Sequence, residues 1–177
     1  RNQTELDNDI LDGDVDFLCN NLNRFCAAGN IIQRKRKRYK GRVSVANKGI
    51  KCDVRYIGDG YMPERWQLKM LQDRALDSRC PAPNQVDLYF SLLFHVCLHK
   101  SEVPRKYLSV LQALEADLDL QWKDRGCSSQ EDYRPIIAGF LKSHGYFSAM
   151  TIDKAVHLEK SAMDDFPAAT DNEVLNW

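Results

Sequence analysis

No stretch of this chain is apolar for long enough to cross a bilayer. The longest candidate, Leu88 to Leu98, is interrupted by Ser91 and His95, whereas a spanning helix needs about 20 predominantly apolar residues. Net charge is absent too, with 25 basic and 25 acidic side chains. Glycine and proline are sparse, at 9 and 6 residues, and no low-complexity tract or internal repeat is visible, which argues against fibrous, linker-like and solenoid architectures. A soluble globular chain is expected.

Catalytic signatures are missing as well. There is no Gly-rich phosphate loop, no dinucleotide Gly-x-Gly-x-x-Gly, no Gly-x-Ser-x-Gly and no His-Glu-x-x-His. His95 and His99 stand one helical turn apart, but two ligands are too few for a metal centre. The acidic pairs Asp117 with Asp119 and Asp164 with Asp165 read as solvent-facing and not as a shared catalytic proton. Six cysteines, at 19, 26, 52, 80, 97 and 127, form no Cys-x-x-Cys pair, and Cys80 and Cys127 have no histidine partner close in sequence. Several fall on apolar faces, where free cysteine behaves as a small hydrophobe. The expectation is reduced thiols, an intracellular protein of nucleus or cytoplasm, no cofactor and no enzymatic activity. The acidic opening of the chain is unlike a secretory signal and agrees with that location.

What is present is charge segregation. Arg34-Lys35-Arg36-Lys37-Arg38-Tyr39-Lys40-Gly41-Arg42 places seven cations in nine residues. Residues 33 to 58 carry a local net of +9, with Asp53 their one acid, while the first sixteen residues sum to −5 and residues 159 to 177 to −4. So many neighbouring cations cannot be desolvated side by side, so the run points to an anionic partner or an import receptor.

The hydrophobic pattern organises the rest. Val15, Leu18, Cys19, Leu22, Phe25 and Cys26 recur at helical spacing between Asp12 or Asp14 as N-cap and Gly29 as stop, predicting one amphipathic helix. Val43 and Val45, then Ile50, Cys52, Val54 and Tyr56, alternate around Asn47-Lys48-Gly49 and predict a β-hairpin over about 42–57, with Lys51 and Arg55 on its other face. Gly58-Asp59-Gly60 closes it as a turn. Pro63 starts a helix with Trp66, Leu68, Met70, Leu71 and Ala75 as packing surface, which Cys80-Pro81-Ala82-Pro83 ends. Asn84 caps a helix over about 86–99 that is apolar on almost every side and therefore central. A further helix from Ser101 or Pro104 carries Tyr107, Leu111, Leu114, Leu118 and Trp122 at coiled-coil-like spacing, fit for internal packing or a dimer seam, and Gly126 ends it. Helices over about 130–143 and 148–162 follow.

The expected fold is therefore mainly α, a bundle of five to six helices with one small β-hairpin near the N-terminal third. Residues 1–11 read as an acidic flexible start, 12–166 as a single domain and 167–177 as an acidic tail. Phe140-Leu141-Lys142-Ser143-His144-Gly145-Tyr146, followed by Ala149 and Ile152, resembles the core of the LisH helix-turn-helix dimerisation motif. That resemblance implies a paired second helix and self-association. The chain departs from it with Asp153 where the family places an aromatic and Val156 where it places a Glu.

These features converge on a non-enzymatic nucleic-acid-binding protein making largely sequence-independent contacts to RNA or DNA phosphates. The contacting residues are Arg34, Lys35, Arg36, Lys37, Arg38, Tyr39, Lys40, Arg42, Lys48, Lys51 and Arg55. Tyr39, Tyr56 or Tyr61 would stack on bases, and a homo-oligomer would multiply a weak contact. The make-up is similar to that of viral matrix or nucleocapsid-associated proteins and silencing suppressors. The other expectation is a protein–protein adaptor whose Lys35-Arg36-Lys37-Arg38 run serves as a nuclear-import signal or meets an anionic membrane surface.

Overall fold

The computed structural model describes residues 15–29, 32–34, 43–47, 50–76 and 81–146. Where the sequence suggests one domain over 12–166, these residues group into two compact units, one ending at Pro83 and the other beginning at Asn84. The expectations for 1–11, for the tail 167–177 and for a helix over 148–162 lie outside the described residues.

The first unit is built on a four-stranded sheet: β1 Val15–Cys19, β2 Ile32–Arg34, β3 Val43–Asn47 and β4 Ile50–Tyr56, in the order β1-β4-β3-β2. The helix expected from Asp12 or Asp14 to Gly29 is corrected here. Its first part is strand β1, and only Leu22–Ala28 is helical (α1). Val15, Phe17 and Cys19 alternate as well as they fit a helical stripe, and β4 lies parallel to them in the register Val15↔Cys52, Phe17↔Val54 and Cys19↔Tyr56. The break falls at Asn21, whose side chain accepts the Arg24 N–H at 2.9 Å and so caps α1. Gly29 does end α1, donating to the Phe25 carbonyl.

β3 and β4 pair antiparallel with Val43 opposite Val54 and Val45 opposite Cys52. The lone hairpin expected over 42–57 is corrected to part of a mixed sheet, because β1 adds to β4 in parallel and β2 adds to β3. Lys48 and Gly49 of its turn lie outside the described residues. Val15, Cys19, Cys52 and Val54 are buried together, and Leu22, Phe25 and Cys26 of α1 pack on them, with the Phe17 and Phe25 rings 5.2 Å apart. After Pro63 comes helix α2, Glu64–Gln72, which buries Trp66 and Gln67 but leaves Leu68 39 % exposed. Ala75 and Ala82 then exchange two backbone hydrogen bonds and end the unit.

The second unit contains α3 Gln85–Leu98, α4 Arg105–Asp117, a 3₁₀ turn Lys123–Arg125 and α5 Gln130–Ser143. That makes five α-helices among the described residues, within the expected five to six. Asn84 caps α3 by accepting the Asp87 N–H at 2.8 Å. As its composition predicts, α3 is the central element: Leu93, Phe94, Val96 and Cys97 are fully buried, and Phe90 stacks on Phe140 of α5 at 3.7 Å.

Helix α4 stops at Asp117, not at Gly126. Asp119 adopts a left-handed conformation (φ 49°), its N–H bonds the Ala116 carbonyl, and the Leu120 N–H bonds the Glu115 carbonyl. This is the double closure of a Schellman cap, made with aspartate in place of the usual glycine. Trp122 therefore leaves the helix, and the coiled-coil-like series is cut at Leu118, while Leu111 and Leu114 are buried within the unit. Helix α5 opens on a capping box in which Asp132 accepts the Ser128 and Ser129 N–H groups, bonds that hold its carboxyl below the usual range. It closes on Gly145 (φ 62°), with Tyr146 donating to the Leu141 carbonyl at 2.8 Å. The stretch that resembles LisH thus ends in a glycine-capped turn.

Because Leu93 of α3 is fully buried, Leu93→Ala is expected to destabilise the protein by about 3 kcal/mol, the range for a buried leucine whose cavity cannot collapse. Val86→Ala, at a position 45 % exposed on the same helix, is expected to change stability by less than about 0.5 kcal/mol. Urea unfolding of the two variants checks the contrast.

Candidate functional site

Arg34 is the last residue of β2 and pairs with Ser44 of β3, whose other neighbour is Asp53 of β4 and beyond it Asp16 of β1. Lys51 and Arg55 flank Asp53 at alternate positions along β4. Lys35, Arg36, Lys37, Arg38, Tyr39, Lys40, Arg42 and Lys48 lie outside the described residues. Both neighbours of the run are nevertheless strand residues. Arg34 ends β2, Val43 begins β3, and the two strands pair antiparallel, so the eight residues 35–42 connect adjacent strands of one sheet.

Arg55 has a different setting. Its guanidinium lies 3.8 Å from the centre of the Tyr61 ring and 3.6 Å from Asp59 Oδ2, with 15 % of its side chain exposed. Asp59 is itself buried and accepts the Tyr61 N–H at 3.0 Å and Gln67 Nε2 at 2.9 Å through Oδ1. The amide oxygen of Gln67 in turn accepts the Gly58 N–H at 2.9 Å. Gly58 and Gly60, at φ 80° and 76°, supply the turn. The Gly58-Asp59-Gly60 segment is thus a lock between the end of β4 and α2, and Arg55 and Tyr61 belong to it. Tyr56 packs against the sheet core. Of the three tyrosines considered for stacking, these two are engaged inside the unit.

Beside the lock, an open groove of about 390 Å³ lies at the C-terminal ends of the parallel pair β1 and β4. Cys19 and Ile57 line it with Leu68 and Leu71 of α2, and Asn20, Gln72 and Arg74 supply its polar atoms. Burial raises the Cys19 thiol above its ordinary range, which keeps it from acting as a ready nucleophile. Arg74 is tied back to the Leu71 carbonyl at the end of α2.

The second unit holds a buried polar cluster. Trp122 Nε1 donates to the Tyr89 hydroxyl at 2.8 Å, Tyr89 donates to Glu115 Oε1 at 2.9 Å, and Tyr133 donates to the Cys127 carbonyl at 3.2 Å. Burial raises the Glu115 carboxyl and both phenols above their usual ranges. Gln130 binds the Val96 and Lys100 carbonyls at the end of α3 and receives Arg134 Nη2 at 3.1 Å. His95 meets Tyr107 edge-on at 5.4 Å and lies 6.0 Å from His99. Among the described residues no group of three or more His, Cys, Asp or Glu side chains is placed to hold a metal. Cys97 is fully buried and its thiol is pushed up to about 12 by burial.

Gln67 and Glu115 are the residues that sequence reading passed over. Each is a polar residue inside a helix with no motif around it. The usable signal is Gln67 directly after the buried Trp66, and Glu115 directly after Leu114 on the buried stripe.

Gln67→Ala is expected to destabilise the first unit by about 1–3 kcal/mol, because it strands the Gly58 N–H and removes one of the two donors to Asp59 Oδ1. Gln67→Glu keeps the shape but sets a second carboxyl against Asp59, and two such groups cannot both ionise in a buried site. Its destabilisation is expected above the carboxylate range and relieved as pH falls through it. Thermal unfolding across pH checks the sign. No protein-family model, no curated protein and no solved structure matches the chain, so the reading of these sites rests on their residues and geometry.

Proposed function

We propose that the chain is a non-enzymatic nucleic-acid-binding protein that contacts phosphates through the basic segment 33–58, with RNA or DNA as ligand and little choice of sequence. The observation that supports this reading most is the antiparallel pairing of β2 and β3. It ties both ends of a connection bearing Lys35, Arg36, Lys37, Arg38, Lys40 and Arg42 to one sheet. Chain ends held at adjacent strands, about 5 Å apart, confine six cations to a small region, which raises local positive potential far above that of a free tail of the same composition. Phosphate contacts of this kind give affinity and not sequence readout. Arg55 contributes to the lock around Asp59, so the reading places the contacts on Arg34 to Arg42 first, with Lys48 and Lys51 extending them. Self-association would multiply the contact.

The experiment is fluorescence anisotropy with a labelled single-stranded RNA and a DNA duplex over a range of salt. Six phosphate contacts are expected to cost about a thousandfold in affinity between roughly 50 and 200 mM salt. Replacing Arg34, Lys35, Arg36, Lys37 and Arg38 by Ser is expected to flatten that slope and abolish binding at the higher salt. Salt-insensitive binding, or unchanged binding by the variant, overturns the proposal. Loss of nuclear accumulation in the variant, from a wild type that binds no nucleic acid, would instead identify the run as an import signal.

A further inference from the structure

Strand directions put the groove and the ends of the basic connection on one side of the sheet. β1 and β4 run parallel and β3 runs against β4, so Val43, where β3 begins, stands level with Val54 near the C-terminal end of β4. Arg34, where β2 finishes, pairs with Ser44 and lies at that end too. Residues 35–42 therefore leave and re-enter the sheet where the parallel strands finish. The groove lies there as well, with Cys19 of β1 and Ile57 just past β4 in its wall. Ile57 is three residues beyond Val54, about 10 Å along the strand, and β3 is about 5 Å to the side. Crevices beyond the C-terminal ends of parallel strands are where open sheets hold ligands.

The lining suits a flat ring with a polar edge. Leu68, Leu71 and Gln72 fall on one face of α2 at three- and four-residue spacing. Leu68 and Leu71 with Ile57 offer apolar contact, and a groove of about 390 Å³ has the size of an ordinary small-ligand site. Asn20 and Gln72 are exposed at its rim, and a side-chain amide carries both donors and an acceptor, the complement of a base edge. Arg74, also exposed, commits one donor to the Leu71 carbonyl, and a guanidinium has further N–H groups to offer a phosphate. Among the described residues lining the groove there is no carboxylate, and the nearby Asp59 and Asp73 are paired with Arg55 and Lys69.

We propose that this groove holds an unpaired base, which makes the nucleic acid bound through residues 33–58 a single strand. The inference rests on the phosphate reading given above and adds to it the class of strand. Ile57, Leu68 and Leu71 take the faces of the ring, Asn20 and Gln72 meet its edge, and the strand continues past Arg74 towards the six cations of residues 35–42. About three nucleotides cover that distance at the stacked rise of about 3.4 Å. Amides offer donor and acceptor alike, so the choice of base stays weak. A base inside a duplex is stacked on both faces and paired along its edge, and cannot enter without being flipped out.

Fluorescence anisotropy on the intact chain tests this with three labelled ligands: a single-stranded oligodeoxyadenylate, an abasic strand of the same length, and a DNA duplex. Wild type is expected to bind the single strand about tenfold more tightly than the abasic strand, the gain from one well-made amide–base contact. Asn20→Ala combined with Gln72→Ala is expected to lower single-strand binding about tenfold, and to leave abasic binding, duplex binding and the salt slope as they were. A single strand bound no more tightly than the abasic one, a variant that binds the single strand as wild type does, or a variant that weakens the duplex equally overturns the base slot while leaving the phosphate reading standing. Absence of salt-dependent binding to all three ligands overturns both. Should the double variant not fold, Gln72→Ala alone is held to the same outcomes.

Discussion

Strand β4 is paired along both edges, parallel to β1 and antiparallel to β3, and the rest of the first unit depends on that double pairing. Val54 is fully buried between neighbours drawn from residues nearly forty positions upstream and about ten positions upstream. The parallel partner requires a long crossover, and α1, β2 and β3 lie within it. The position of α1 follows from the pairing. Leu22, Phe25 and Cys26 reach the sheet core because Asn21 restarts the chain as a helix immediately beyond β1. At its far end β4 runs into the Asp59 lock, which ties the sheet to α2 through Gln67. One central strand thereby positions α1 and α2 beyond the C-terminal ends of the parallel pair and, through β3, the two strand ends that bracket the basic run.

The second unit solves a different problem. Its central helix, α3, is apolar enough to pack against anything, so shape alone leaves the connection after α4 poorly specified. Directional bonds supply what hydrophobic contact does not. Tyr89 fixes Trp122, Gln130 reads two carbonyls at the end of α3, and the Schellman cap at Asp119 turns the chain. Buried networks of this kind are stabilising only when every member is satisfied.

Local chemistry made much of this legible in the residues. Asn84 before an apolar run and Ser129 with Asp132 are caps whose side chains act within four residues, Gly145 supplies the left-handed turn beyond Ser143, and helices α3 and α5 lie where those signals put them. Non-local choices were hidden. Val15, Leu18, Cys19 and Leu22 fit a helical stripe, and only the presence of β4 makes the alternation of Val15, Phe17 and Cys19 the pattern that counts. Asp119 hid the end of α4 because a left-handed cap is usually read from glycine. The Asp59 lock was visible as a turn, but its partner Gln67 is a helical residue eight positions away with no signature of its own.

The same considerations divide the cations of the basic segment by role. Arg55 has an aromatic face and a carboxylate within reach, and Asp59 also holds two other donors, so that site is closed and its charge is balanced inside the unit. The run from Lys35 to Arg42 contains no acid of its own. On the proposed reading, closing that run between adjacent strands would oppose formation of the β2–β3 pair, since self-repulsion disfavours a compact arrangement. On the proposed reading a polyanion relieves that repulsion, and anything that binds the folded sheet in preference to the unfolded chain stabilises it by mass action. Nucleic-acid binding and the pairing of β2 with β3 are then linked, each favouring the other, with salt weakening the first while easing the repulsion that opposes the second.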